Sequence, residues 1–296
     1  MKSTPRKESK FVTRILPGFV FALSQLFILL FYPNWFTTNE NTIDPWIYWG
    51  AGDNPELSYS NDFAQTYYLQ RYAVILPQIL FQSFLGPYFG TLGVAIFWSL
   101  LIFYFIWKLC KLVGNWQLGV FVFLVFISDR MLLGAIGMSY TMASSIALGL
   151  GFFYFAFQVV LQQKNTTKIS FARKSFIAGL YLGLLANAYL THALILSLAA
   201  LTSFGYSKPH WRQFKQLLVW CTSGFFIISL FFQFSYKVIT NDDRLMILNQ
   251  LGFGLGVATK LNPWSGGFVD FWTRAIFNPV VFYWIAIVLM FVLTFF

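Results

Sequence analysis

The 35 residues from Ala73 to Trp107 contain no charged side chain. A soluble domain carries about 25% charged residues, whereas this chain has 10%, with 58% hydrophobic residues and a mean hydropathy of +0.65. Most of it must therefore face lipid or other apolar helices. A hydrocarbon core about 30 Å thick takes roughly 20 helical residues to cross. The uncharged run is too long for one simple span and short for two.

Parity of the flanking charges decides between them. The basic N-terminus, MKSTPRKESKFVTR, precedes the apolar run Ile15 to Tyr32. That run is longer than a signal-peptide core and has no small-residue cleavage site behind it, so it is expected to be a retained first span with a cytoplasmic N-terminus. Lys108 and Lys111 should be cytoplasmic too, which leaves one crossing inside Ala73 to Trp107. Gly86-Pro87 marks the break: Ala73 to Leu85 reads as an interfacial helix and Tyr88 to Trp107 as the second span.

The same reasoning runs on. Leu112 to Ser128 goes out, the segment SDRMLLGAIGMSYTM turns externally, and Met142 to Leu161 returns. Lys164, Lys168, Arg173 and Lys174 are cytoplasmic. Ser175 to Tyr206 forms a hairpin of two short spans turning near NAYLTH, because Lys208, Arg212 and Lys215 follow it. Leu217 to Phe234 goes out, Ser235 to Asn278 stays outside, and Pro279 to Phe296 is the last span. The result is an all-α polytopic membrane protein of about eight transmembrane helices, one module over residues 1–296. Its external loops are 33–87, with the interfacial helix, and 235–278. The ending VLMFVLTFF has no closing basic residue, so further C-terminal spans are expected.

The formal charge of +10 does not point to nucleic acid, since the basic residues cluster between apolar runs as topological signals. Of 20 basic residues, 14 fall inside. The acids were not used to build this topology, yet Glu8 alone is inside. Glu40, Asp44, Asp53, Glu56, Asp62, Asp129, Asp242, Asp243 and Asp270 all fall outside. The external face carries the polar chemistry. Cys110 and Cys221 have no ligand spacing and suggest neither a disulfide framework nor a zinc site.

Long loops in compact folds are usually functional or disordered, and both external segments are rich in aromatic residues. In NTIDPWIYWG, Asp44 sits among Trp46, Tyr48 and Trp49. Its carboxylate suits a general base toward an acceptor hydroxyl, or a ligand to a divalent cation, and its aromatic neighbours, Tyr48 among them, suit the membrane interface. Arg71 lies beside Tyr67, Tyr68 and Tyr72, where a planar guanidinium suits phosphate. The plainer alternative is an Asp that caps a short helix and an Arg that snorkels to headgroups. Asp129-Arg130 is a second charged pair at the same face, and a local ion pair is its plainer alternative. Arg244 and Lys260 are further cations in the last loop. His192, in NAYLTHA, reads as a hydrogen-bonded turn residue. Gly252, Gly254 and Gly256 lack the strand context of a dinucleotide fingerprint. No P-loop, His-Glu-x-x-His or nucleophile elbow is present, which argues against nucleotide-driven chemistry.

The layout resembles the polytopic membrane glycosyltransferases of the GT-C fold, closest in style to bacterial relatives of protein O-mannosyltransferases and lipid A aminoarabinose transferases. The features that carry the resemblance are one span, a long external loop with an early Asp among aromatics, the helix running YYLQRYAVILPQILFQSFLGP, short-looped spans and a second large external loop. The resemblance covers nearly the whole chain and is one of layout. It implies a transferase of the plasma (inner) membrane and cell envelope that moves a sugar from a polyprenyl-phosphate carrier to a lipid, glycan or protein acceptor. It implies no cofactor beyond a possible divalent cation. Asp44 matches the first-loop catalytic Asp and Arg71 the Arg that opens the helix near the carrier phosphate. Pro45 stands where relatives often carry a Glu. Tyr48, Tyr68, Asp129, Arg130, Arg244 and Lys260 are candidates for substrate binding by location. The rival readings are a transporter or flippase, expected to carry ionisable residues at mid-span, a polysaccharide polymerase handling lipid-linked sugars, and a non-catalytic membrane subunit.

Overall fold

The computed structural model describes residues 10–31, 43–60, 71–137, 141–161, 168–206 and 211–240, and Leu245. Nearly all of these are helical. Four helices are long and apolar enough to cross a membrane: α4 (Tyr72–Leu112), α7 (Thr141–Leu161), α8 (Lys168–Ala188) and α10 (Trp211–Thr240). The apolar parts of α1 (Lys10–Phe31), α5 (Trp116–Ser128) and α9 (Leu190–Tyr206) are shorter. Expected span 279–296 lies outside the described residues. The outer faces carry many exposed large apolar side chains, among them Phe19, Leu30, Phe121, Leu230 and Phe234. A continuous apolar exterior of this kind belongs in a membrane.

The Gly86-Pro87 break is present. Gly86 has φ 77° and ψ 169°, outside helical space, and divides α4 into limbs 72–85 and 87–112. A positive φ costs a residue with a Cβ, and proline suits the first position of the next helix. The chain folds back there. Gln82 donates to Thr91 Oγ1 at 3.2 Å, and the Phe81 and Phe97 rings lie 5.8 Å apart. A Cβ on Gly90 would lie 2.5 Å from Gln82 Cα, so the limbs meet backbone to side chain.

At the other end of α4, Gly114 (φ 87°) closes the helix. Its N–H donates to the Lys111 carbonyl and that of Asn115 to the Cys110 carbonyl, both at 3.1 Å, which satisfies carbonyls the helix end would leave unpaired. Asn115 Oδ1 then accepts from Leu118 N at 3.0 Å and starts α5. The helix therefore runs through Leu112, where the sequence suggested that the next span begins. At 13 residues, α5 is about 20 Å long, short of a full crossing by itself.

The hairpin expected at NAYLTH also forms, with Tyr189 as the single residue between α8 and α9. Phe204, near the end of α9, clusters with Phe171, near the start of α8, so the two arms run antiparallel. Helix α8 begins at Lys168, earlier than expected, which makes Lys168, Arg173 and Lys174 helical. Against α8 packs α10, and glycines set the spacing. A Cβ on Gly179 would collide with the Cys221 carbonyl, one on Gly183 with Ile228, and one on Gly224 with the Phe176 carbonyl. Residues 179 and 183 meet 221 and 225 in order, so α8 and α10 are parallel. Close backbone approach through small residues is how helices associate where lipid offers no hydrophobic driving force. Helix α10 continues to Thr240, so residues 235–240, expected in the external loop, are helical.

Helix α1 runs antiparallel to the second limb of α4. Phe21 stacks on Phe103 at 5.3 Å, and Gln25 Nε2 donates to Ser99 Oγ at 3.1 Å. These pairings give the bundle two ends. One gathers the start of α1, the end of α4 and the starts of α5, α8 and α10, with Lys108, Lys111, Arg173, Lys174, Arg212 and Lys215. The other gathers the start of α4, the α8–α9 apex and the end of α10, joined through Arg71 with Tyr189 and Tyr72 with Phe232 and Tyr236. The described acidic residues, Asp44, Asp53, Glu56 and Asp129, all lie on segments at this second end.

Candidate functional site

The segment expected to be the first external loop is nearly all helical over its described residues. It holds α2 (Ile43–Asp53) and α3 (Pro55–Ser60). Asn54 starts α3: its Oδ1 accepts from Leu57 N at 3.1 Å, with Pro55 at the first helical position. Helix α2 lies on the first limb of α4 and is fixed at two points. Near its C-terminal end, Gly52 packs on Gln78 and Gln82; a Cβ there would be 2.6 Å from Gln82 Oε1 and 2.8 Å from Gln78 Cβ. Nearer its start, the wholly buried Tyr48 accepts a hydrogen bond from the Arg71 guanidinium.

Arg71 immediately precedes α4 and is 8% exposed. Its Cζ lies 5.3 Å above the ring of Tyr189, the residue at the α8–α9 apex. Tyr189 in turn packs against the His192 ring at 4.3 Å. Beside Arg71, the buried Tyr72 meets Phe232 at 6.1 Å and Tyr236 at 6.2 Å, both from the end of α10. One guanidinium thus joins α2, α4 and the hairpin apex, and its neighbour adds α10. A buried cation among phenol and aromatic faces keeps a delocalised charge that suits an oxyanion.

Asp44 lies in the first turn of α2, four residues before Tyr48, so the two positions share a helix face. Position 44 is thus one helical turn from the residue that Arg71 holds. Asp129 acts locally, since its Oδ1 accepts from Leu132 N at 3.0 Å and caps α6 (Arg130–Gly137). This cap is distinct from the ion pair expected as the plainer alternative for Asp129-Arg130; Arg130 is the first residue of α6. Tyr68, Arg244 and Lys260 lie outside the described residues. Among those that are described, no group of three or more His, Cys, Asp or Glu gathers around a common point. Cys110 and Cys221 are free thiols.

Tyr189 and His192 were not among the sequence candidates as partners of Arg71. Their only sequence signal is the polar interruption NAYLTH in an apolar stretch. His192 is 6% exposed, and its Nδ1 has no hydrogen-bond partner among the described residues. Gln78 and Gln82 were also missed, although their i, i+4 spacing on an apolar helix marks one polar face.

Comparison with protein families, with curated proteins and with solved structures finds no match to this chain.

Proposed function

We propose that the chain is a membrane glycosyltransferase module of GT-C type, acting at the end of the bundle that carries Arg71 and Asp44. The donor is a sugar on polyprenyl phosphate and the acceptor a hydroxyl group. The observation that carries the reading is the Arg71–Tyr48 hydrogen bond. It ties a cation suited to the carrier phosphate to the helix whose preceding turn bears Asp44.

In this reading Arg71 binds the phosphate, held in orientation by Tyr48 and Tyr189. Asp44 takes the proton of the acceptor hydroxyl as its oxygen attacks the anomeric carbon. The bond from that carbon to the phosphate oxygen breaks, and polyprenyl phosphate departs with the electron pair. The phosphate is a leaving group already, so no nucleotide site is needed.

Membrane extracts supplied with polyprenyl-phosphate sugars test it. Asp44→Asn should abolish transfer at unchanged protein level and membrane insertion. Arg71→Lys keeps the charge but loses the planar fork, and should raise KM for the donor. Normal transfer by Asp44→Asn would sink the assignment.

A further inference from the structure

A cavity of about 390 Å³ lies between the two arms of the α8–α9 hairpin, walled by α7 and α10. Ala156, Ala178, Leu182, Ala200 and Phe204 line it, and of its 15 lining residues only Ser197, Cys221 and Thr222 carry polar side-chain atoms. Its size is that of small-ligand pockets, roughly 300–1,000 Å³, while its lining offers almost nothing to a polar ligand. Leu201, Leu218 and Phe226 line it and are exposed, so it opens sideways between α9 and α10 toward the lipid phase.

Charge identifies the rest of the ligand. Lys174 stands one turn before Ala178 on α8, and Lys215 one turn before Leu218 on α10, each on the cavity side of its helix by register. Arg173 and Arg212 are their chain neighbours or close to it. Among the described residues no carboxylate lies at this end. Trp211, exposed and with the Lys215 ammonium 5.3 Å from its ring, is placed as an interfacial aromatic at headgroup depth. We propose that the cavity is a binding site for one acyl chain of an anionic glycerophospholipid, whose headgroup phosphate is met by Lys174 and Lys215.

The ligand is thus a bilayer lipid at the basic end, remote from Arg71, and the site stands whether or not the chain transfers sugar. Native mass spectrometry of the full chain in mild detergent tests it. The probes are phosphatidylglycerol and phosphatidylcholine with identical palmitoyl and oleoyl chains. Phosphatidylglycerol should bind about 25-fold more tightly, since each of the two basic residues near an anionic group contributes about fivefold. Lys174→Gln with Lys215→Gln should erase the preference. Ala200→Phe, which fills the cavity, should remove the adduct of both lipids; Ser197→Phe is the second filling variant should the first misfold. Equal affinity for the two lipids would overturn the proposal, as would undiminished binding by a folded filled variant. So would an efficient disulfide between Cys221 and a cysteine placed within residues 279–296, indifferent to added lipid, because the chain itself would then occupy the cavity.

Discussion

The contact between Tyr48 and Arg71 is the hinge of the site, and Tyr48→Phe tests it with the loss of one oxygen atom. The phenol is wholly buried and the guanidinium nearly so, so water cannot replace the lost partner. A hydrogen bond to a charged group contributes about 1.5–3 kcal/mol, and a buried donor left unsatisfied costs a similar amount. The aromatic ring stays, so packing changes little and the loss falls on the docking of α2 to α4. Ala51 reports it: it is 0% exposed and lies on the buried face of α2, so a thiol there reacts only when the helix lifts. In a chain with Cys110→Ala, Cys221→Ala and Ala51→Cys, labelling follows the open population. A loss of about 1.5–3 kcal/mol raises its rate between roughly tenfold and a hundredfold or more. Arg71→Lys should give a comparable increase, and the double variant should fall short of the sum, because both changes break one interaction. Additive effects, or a change under about twofold with Tyr48→Phe, which is under about 0.5 kcal/mol, would refute the claim that this bond holds α2 in place.

Two further substitutions test the frame around the site. Gly224→Leu forces a side chain into the Phe176 carbonyl and should destabilise the α8–α10 pair by at least the ~1–3 kcal/mol typical of overpacking, seen as a lower midpoint in detergent unfolding. Asp129→Ala should cost about 1 kcal/mol as a lost helix cap, whereas Asp129→Asn should be close to neutral in both stability and transfer; a large activity loss in the Asn variant would give that carboxylate a chemical role.

What could be read from the sequence was set by covalent or charge constraints. Gly86-Pro87 breaks a helix by backbone geometry, and parity of the Lys and Arg clusters demanded a fold-back there. The polar residues of NAYLTH in an apolar stretch, followed by Lys208, demanded a turn, and Tyr189 is that turn. The errors are of two kinds. Helix ends shifted where caps act: α4 runs to Leu112 because Gly114 and Asn115 close it, and α10 runs to Thr240 with no breaker to stop it. Partners were missed where the contact spans the chain. Arg71 and Tyr189 lie 118 positions apart, and no periodicity in either segment announces that one will sit on the other.

Those contacts build this end of the bundle in layers. In the α8–α10 pair, close approach depends on Gly179, Gly183 and Gly224, none of which contributes to the Arg71 cluster. That pair and the hairpin apex can form without α2. The start of α4 then has two surfaces waiting, Tyr189 for Arg71 and Phe232 with Tyr236 for Tyr72. Tyr48 meets Arg71, and together with Gly52 on Gln78 and Gln82 this sets α2, whose first turn carries Asp44. The turn with the proposed chemistry is thus held at one remove from the bundle, through α2 and its contacts with the first limb of α4. Small changes in Tyr48, Arg71 or Tyr189 should therefore weaken function before they weaken the bundle, and Tyr189→Leu, which removes the aromatic face under the guanidinium, should lower transfer while leaving the midpoint of detergent unfolding within about 1 kcal/mol.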